Sequence, residues 1–222
     1  MSRRKHKTAI EDLMSIMARL RAPNGCPWDR EQNHKSLRWH AVEEVYELLD
    51  AIENGDDHEL EEELGDVLLQ VVFHSQMAKE RGAFDFHRVA RRLANKLVRR
   101  HPHVFGELKV NDVDQVWANW EKIKRAEKHG TRHARPSALD GIPKHLPALM
   151  RVEKLLKKAR RAGLFQPVKN TRLTRAAAAR QLFELAAATH ARGWSPENLL
   201  RAEARRKERD FRKRERLAKT SQ

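Results

Sequence analysis

The 222-residue chain has one cysteine, Cys26, and one tyrosine, with only nine glycines and eight prolines. A single thiol excludes an intrachain disulfide and a four-thiolate zinc site. No segment approaches the roughly 18 consecutive apolar residues that a membrane span requires. The basic opening Arg3-Arg4-Lys5 runs into Glu11 and Asp12, where a signal peptide needs an apolar run. A cytoplasmic protein with no membrane association is therefore expected. Strand-like alternation is missing too, and the scarcity of glycine and proline leaves few breaks in long stretches of Ala, Leu, Glu, Lys and Arg. These residues lose little rotamer freedom in a helix, so an all-α fold is expected.

Charge is abundant, at 35% of residues against 40% hydrophobic, and it is unevenly placed. The net charge of +15 conceals a first half, residues 1–110, with 18 basic and 19 acidic side chains. Residues 111–222 carry 28 basic and 12 acidic side chains. The basic character thus belongs to the second half, and the whole-chain balance is no argument that the first half binds nucleic acid.

Helical periodicity marks segments at about 8–21, 36–54, 57–81, 86–100 and 113–128. Pro23, Asn24, Gly25 and Pro27 predict an irregular loop through Trp28, which reads as a packing anchor. Residues 129–147, with three prolines and two glycines, read as a linker. Further helices are expected at about 146–162, 171–191 and 196–219, the last with Ser195 as N-cap and Pro196 in its first turn. That last segment is Arg-rich. It reads as a solvated face or as a contact for nucleic acid.

The most informative stretch is Glu43 to Asp66, with twelve acidic residues and no Lys or Arg. On a helical wheel, Glu44 and Glu47 lie at about −100° and −160° from Val45 in an apolar stripe of Ala41, Val45, Leu48 and Ile52. Glu63 and Asp66 stand at the same offsets, about −100° and −160°, from Leu64 in a stripe of Leu60, Leu64, Val67, Leu68 and Val71. Both pairs are centred about 9.5 residues from Gly55, the residue between Glu53 and Asp57 free to turn left-handed. An antiparallel hairpin at Gly55 brings all four carboxylates to one height, about 14 Å from the turn. A single Glu in such a run reads as part of a solvated face. A matched quartet without a basic partner reads as a site for a hard divalent cation, because clustered carboxylates repel one another unless a counter-charge is supplied.

The pattern Glu43-Glu44-x-x-Glu47 followed by Glu63-x-x-Asp66 resembles the signature of the all-α nucleoside triphosphate pyrophosphohydrolases. The blocks Asn24-Gly25-Cys26-Pro27-Trp28-Asp29, Glu63-Leu64-Gly65-Asp66-Val67-Leu68-Leu69-Gln70-Val71-Val72-Phe73 and Arg99-Arg100-His101-Pro102-His103-Val104-Phe105 are similar to the MazG family. So is the segment from Ser137 to Leu149, and the likeness extends over about residues 8–163.

The resemblance implies a four-helix-type core, a homodimer, and Mg²⁺-dependent hydrolysis of ribo- and deoxynucleoside triphosphates to monophosphate and pyrophosphate. Carried over, Glu44, Glu47, Glu63 and Asp66 would be the metal ligands, and Glu43 the acid that holds or deprotonates the attacking water. Lys96 and Arg100 would bind the triphosphate; Trp120 and Lys124 would contact the nucleotide. Of Trp117 and Trp120, three residues apart, core packing and base stacking are both open readings. A zinc site at His101 and His103 is not expected, since no third ligand is placed.

The resemblance also divides the chain into a catalytic domain at 8–128, a linker at 129–147 and a shortened second copy at 148–222. In that copy, the place of the acidic signature is taken by Arg175-Ala176-Ala177-Ala178-Ala179-Arg180, which cannot bind Mg²⁺. It reads as a silent helical scaffold or dimer contact. The rival function is that of a catalytically weak, basic helical protein that binds nucleic acid or another partner.

Overall fold

A computed structural model of the chain describes residues 8–128, 130–131, 134–166 and 173–220. Residues 129, 132 and 133 of the expected linker, and the expected helix start at Thr171, lie outside the described residues. Those described form ten helices and no strand, as the composition predicts. The chain divides into two compact units, residues 1–117 and 118–222.

In the first unit, α1 (Ala9–Leu20) opens with a capping box: the Thr8 hydroxyl accepts from the Glu11 amide, and the Glu11 carboxylate accepts from the Thr8 amide at 2.8 Å. A short helix, α2 (Pro27–Glu31), interrupts the loop expected there. The hairpin follows as α3 (His40–Asn54) and α4 (Asp57–Glu80). Gly55 turns it at φ 71°, in the left-handed region where an L side chain is disfavoured. Asp56 then caps α4 by accepting from the amides of His58 and Glu59. The unit is completed by α5 (Phe86–Arg100) and the single turn α6 (Pro102–Phe105).

The central helix α4 packs against α1, α3 and α5. Its core is Met17 of α1 and Leu37, gathered on Val72, Phe73 and Met77, with Leu13, Met14, Leu20, Leu69 and Phe86 around them. Truncating Phe73 to alanine should cost about 3–5 kcal/mol, the range for emptying a packed aromatic site.

Two details differ from the periodicity. Helix α3 starts at His40 rather than near Ser36, because Asn33 caps the amides of Lys35 and Ser36 in a preceding turn that sends Leu37 into the core. The apolar stripes are also largely uncovered: Val45, Ile52, Leu64, Leu68 and Val71 are 37–55% exposed. Ala51 is the buried residue of α3.

Helix α7 (Val113–Ala126) contains the boundary between the units. The second unit continues with α8 (Ala148–Arg161), α9 (Arg175–His190) and α10 (Pro196–Thr220). Leu139, Leu155, Ala159 and Phe211 form its core. Buried Arg151 pairs with Glu208, Arg212 bridges Asp140 and Glu208, and Glu215 accepts from the Ala138 amide. These bonds hold α8 and the segment before it onto α10. Much of the Arg-rich helix is therefore engaged in folding its own unit.

Candidate metal centre

The hairpin brings Glu44, Glu63 and Asp66 together: one carboxylate oxygen from each lies within 4.8 Å of the other two. All three side chains are half-buried. Helical geometry accounts for this, since Glu63 and Asp66 are three residues apart on α4 and Glu44 faces them from α3. Glu47 stands outside this trio and is exposed, yet lies within hydrogen-bonding reach of Glu44. The expected quartet is thus a close trio with a flanking fourth acid.

The electrostatics are those of a site short of positive charge. Burial, then the charges of Glu47, Asp66 and Glu44, push the Glu63 carboxyl above its ordinary value. Burial, Glu44 and Glu43 do the same to Glu47. The Oε2 atom of Glu63 is shielded from solvent and has no hydrogen-bond donor. A shielded carboxylate oxygen without a donor, beside two more acids, fits a cation: oxygen donors in this number and mixture suit Mg²⁺, Mn²⁺ or Ca²⁺ rather than a thiol-seeking metal.

Glu43 is exposed, 3.6 Å from His40 Nδ1, and outside the trio, although its charge acts on Glu47. Lys96 and Arg100 are half-buried, one turn apart on α5, the neighbour of α4. Trp120 and Lys124 belong to the second unit, where the Lys124 ammonium sits 4.5 Å from the Trp120 ring and 3.2 Å from Glu121 Oε1. Trp117 is 56% exposed, so its core reading fails. Trp28 is 53% exposed and meets His40 edge-on, which makes it no packing anchor. Among the described residues, His101 and His103 join no metal-ligating group.

Sequence reasoning passed over Gln70. Its Nε2 donates to Glu44 Oε1 at 3.1 Å, while its own Oε1 is buried without a donor. The signal was available, since Gln70 follows Asp66 by four residues and Glu63 by seven on one face of α4.

These features define an all-helical protein with a carboxylate centre suited to a divalent cation. The profile of the MazG nucleotide pyrophosphohydrolase domain matches residues 32–105, which contain the trio. The chain is 48% identical over 155 residues to a nucleoside triphosphate pyrophosphohydrolase of Escherichia coli K12, a match covering 69% of this chain and 58% of that protein. It is 46% identical over 154 residues to the nucleoside triphosphate pyrophosphohydrolase/pyrophosphatase MazG of Thermotoga maritima, again covering 69% and 58%. An uncharacterized 26.1 kDa protein of Streptomyces cacaoi is 43% identical over 195 residues, 87% of this chain and 77% of that one. The chain belongs to the MazG family. It spans less than two thirds of the length of the Escherichia and Thermotoga relatives.

Proposed function

We propose that the chain hydrolyses ribo- and deoxynucleoside triphosphates to monophosphate and pyrophosphate in the cytoplasm, with Mg²⁺ as cofactor. The observation that carries this reading is the trio Glu44, Glu63 and Asp66 with the donorless Glu63 Oε2. In this reading those three acids, joined by Glu47, hold the cation. When bound, Mg²⁺ supplies charge neutralisation to phosphate oxygens. The chain's own residues do the rest. A water oxygen adds to the α- or the β-phosphorus of the anhydride, the bridging P–O bond breaks, and the half not attacked departs, so that monophosphate and pyrophosphate are the products from either side. Glu43 takes the proton of that water, consistent with its solvent-exposed carboxylate and the influence of its charge on Glu47. Lys96 offers a mobile point charge and Arg100 a planar fork to the non-bridging oxygens. Trp120 and Lys124 are assigned to the nucleotide.

Two variants test the assignment. Glu44→Ala and Asp66→Ala should lose Mg²⁺-dependent pyrophosphate release while keeping wild-type helical circular dichroism. Unchanged turnover in either removes the site from the reaction.

We also propose a homodimer. Val45, Tyr46, Leu49 and Ile52 of α3, Leu64 and Leu68 of α4 and Leu93 of α5 are 37–55% exposed, more apolar surface than an isolated domain ordinarily leaves to water. A second copy is the occupant that covers it. The proposed domain division keeps residues 8–128 as catalytic, 129–147 as linker and 148–222 as a silent copy. The alanines and arginines of α9 support its silence, and exposed Leu182, Phe183 and Leu185 support a contact role.

One observation favours nucleic-acid contact as an added property. Arg205, Arg209, Lys213 and Arg216 are exposed and share an arc of about 80° on α10 that carries no acid. Removing residues 201–222 is a poor test, since Ala204 and Phe211 are buried. Glutamate at Arg205, Arg209 and Lys213 together should abolish any salt-dependent binding of duplex DNA or RNA and leave turnover intact.

A further inference from the structure

The metal reading assigns four acids and leaves Gln70 with no task, although its side chain lies between α3 and α4 and touches the trio. Gln70 Nε2 donates to Glu44 Oε1 at 3.1 Å, and the amide oxygen on the same carbon is buried without a donor. The amide orientation is set by chemistry: turned over, it would place an oxygen against a carboxylate oxygen, two acceptors with no proton between them. The orphaned oxygen is thus the necessary consequence of holding Glu44.

A buried carbonyl oxygen left without a donor forfeits the hydrogen bond it had to water, and packed helices rarely keep one. Leucine or methionine would fill the same space on α4 without that cost. Glu63 Oε2 is in the same condition, so the site holds two buried acceptors and no donor for either. Cations that bind carboxylates in this class of site retain several waters, and each such water is a donor. Both orphans are answered by one arrival: the cation for Glu63, and a water that comes with it for Gln70.

We propose that Gln70 is the positioning residue of the metal centre, its N–H fixing the Glu44 carboxylate and its carbonyl oxygen accepting from a cation-held water. This rests on the reading of Glu44, Glu63 and Asp66 as the metal ligands. In this role Gln70 touches no substrate. It acts by holding one ligand in the orientation that lets the three converge, the task of outer partners in metal sites generally.

The test is Mn²⁺ binding, with the metal alone, followed by electron paramagnetic resonance of the free ion. Four full-length proteins are compared: wild type, Gln70→Leu, Glu44→Ala and the double variant. Gln70→Leu should bind Mn²⁺ about 10- to 100-fold more weakly than wild type. In EDTA it should melt at or above the wild-type temperature, because an apolar group has replaced an unsatisfied one. In the Glu44→Ala background the same substitution should weaken Mn²⁺ binding several-fold less than it does in wild type, because the route through Glu44 has been removed and only the water contact remains.

Three results overturn the proposal. One is Mn²⁺ affinity unchanged by Gln70→Leu; a fall in melting temperature alongside it would make Gln70 a packing residue. Another is a loss that adds fully to that of Glu44→Ala, which would show that Gln70 acts through something else. Wild type failing to bind Mn²⁺ would take down the ligand assignment itself, and that failure is distinct from a failure of the variant alone.

Discussion

Arg21 grips Glu80 across 59 positions of the chain, its Nη2 2.8 Å from Glu80 Oε2 and its Nε 2.8 Å from Oε1. The same guanidinium donates to the carbonyls of Asp29 and Gln32 and lies 5.4 Å from the Phe73 ring centre. One side chain therefore ties the end of α1, the short helix α2 and the end of α4 together over the core.

Arg21→Met should destabilise the first unit by about 2–3 kcal/mol. Breaking a buried pair costs more than this, but Glu80 is 36% exposed and partly screened by solvent. Urea denaturation monitored by circular dichroism measures it.

That pair also sets an acid limb. The hydrogen bonds from Arg21 are the largest influence on Glu80 and hold its carboxyl below the ordinary value of 4.5. A depressed carboxyl stabilises the fold fully above its unfolded value, and this contribution is lost as pH falls through the folded one. Wild-type stability should therefore fall on acidification below about pH 4.5, and Arg21→Met should show a shallower fall. Equal slopes in the two proteins would separate Glu80 from the acid response.

The metal centre has the opposite sign. Glu63 is raised by burial and by its acidic neighbours, so its ionisation opposes folding, and stability is lost as pH rises through the raised value. At neutral pH without metal, Glu63→Gln should melt above wild type. Mg²⁺ should raise the wild-type melting temperature, as any ligand of the native state does, and leave that of the variant nearly unchanged. Its turnover should be lost. A variant that melts lower in EDTA would mean that the acids do not repel one another in the fold.

At the hairpin turn, Gly55→Ala should cost about 1–2 kcal/mol, the penalty for an L side chain in the left-handed region. An added Cβ would meet nothing within 4 Å, so the cost is one of backbone conformation and not of collision. Gly55→Asn should cost less, since asparagine tolerates this region. Denaturation midpoints in the order glycine, asparagine, alanine are the expected result.

For the dimer, Ile52→Glu and Leu64→Glu place charge on side chains 55% and 52% exposed in the single chain. Light scattering should give twice the chain mass for wild type and one chain mass for the double variant. A wild-type monomer would leave the apolar face to some other partner.

The hairpin was legible because its determinants are local. Gly55 and the 3.6-residue period fix where the helices turn and which acids share a height. The helices α2 and α6 were not legible, because single turns have too few internal bonds to be written in periodicity; α2 is held from outside, by Arg21 on its carbonyls. The stripe of Val45, Ile52 and Leu64 was legible as apolar, but apolarity does not say which surface will cover it. Trp28 misled for the same reason, and Trp117 could be read either way, since a large aromatic suits a core and an exposed contact equally well. Gln70 lay inside a recognised motif, yet its partner is 26 residues away, and only the folded hairpin makes the bond.

In the proposed reaction, three carboxylates gathered by one hairpin serve Mg²⁺-dependent cleavage of the α–β anhydride. Phosphorus-31 magnetic resonance of a deoxynucleoside triphosphate incubated with the protein and Mg²⁺ identifies the bond that is cut. Monophosphate and pyrophosphate should appear in equal amounts, with neither formed in EDTA or by Asp66→Ala. Diphosphate with orthophosphate, or products that persist in EDTA, would contradict it.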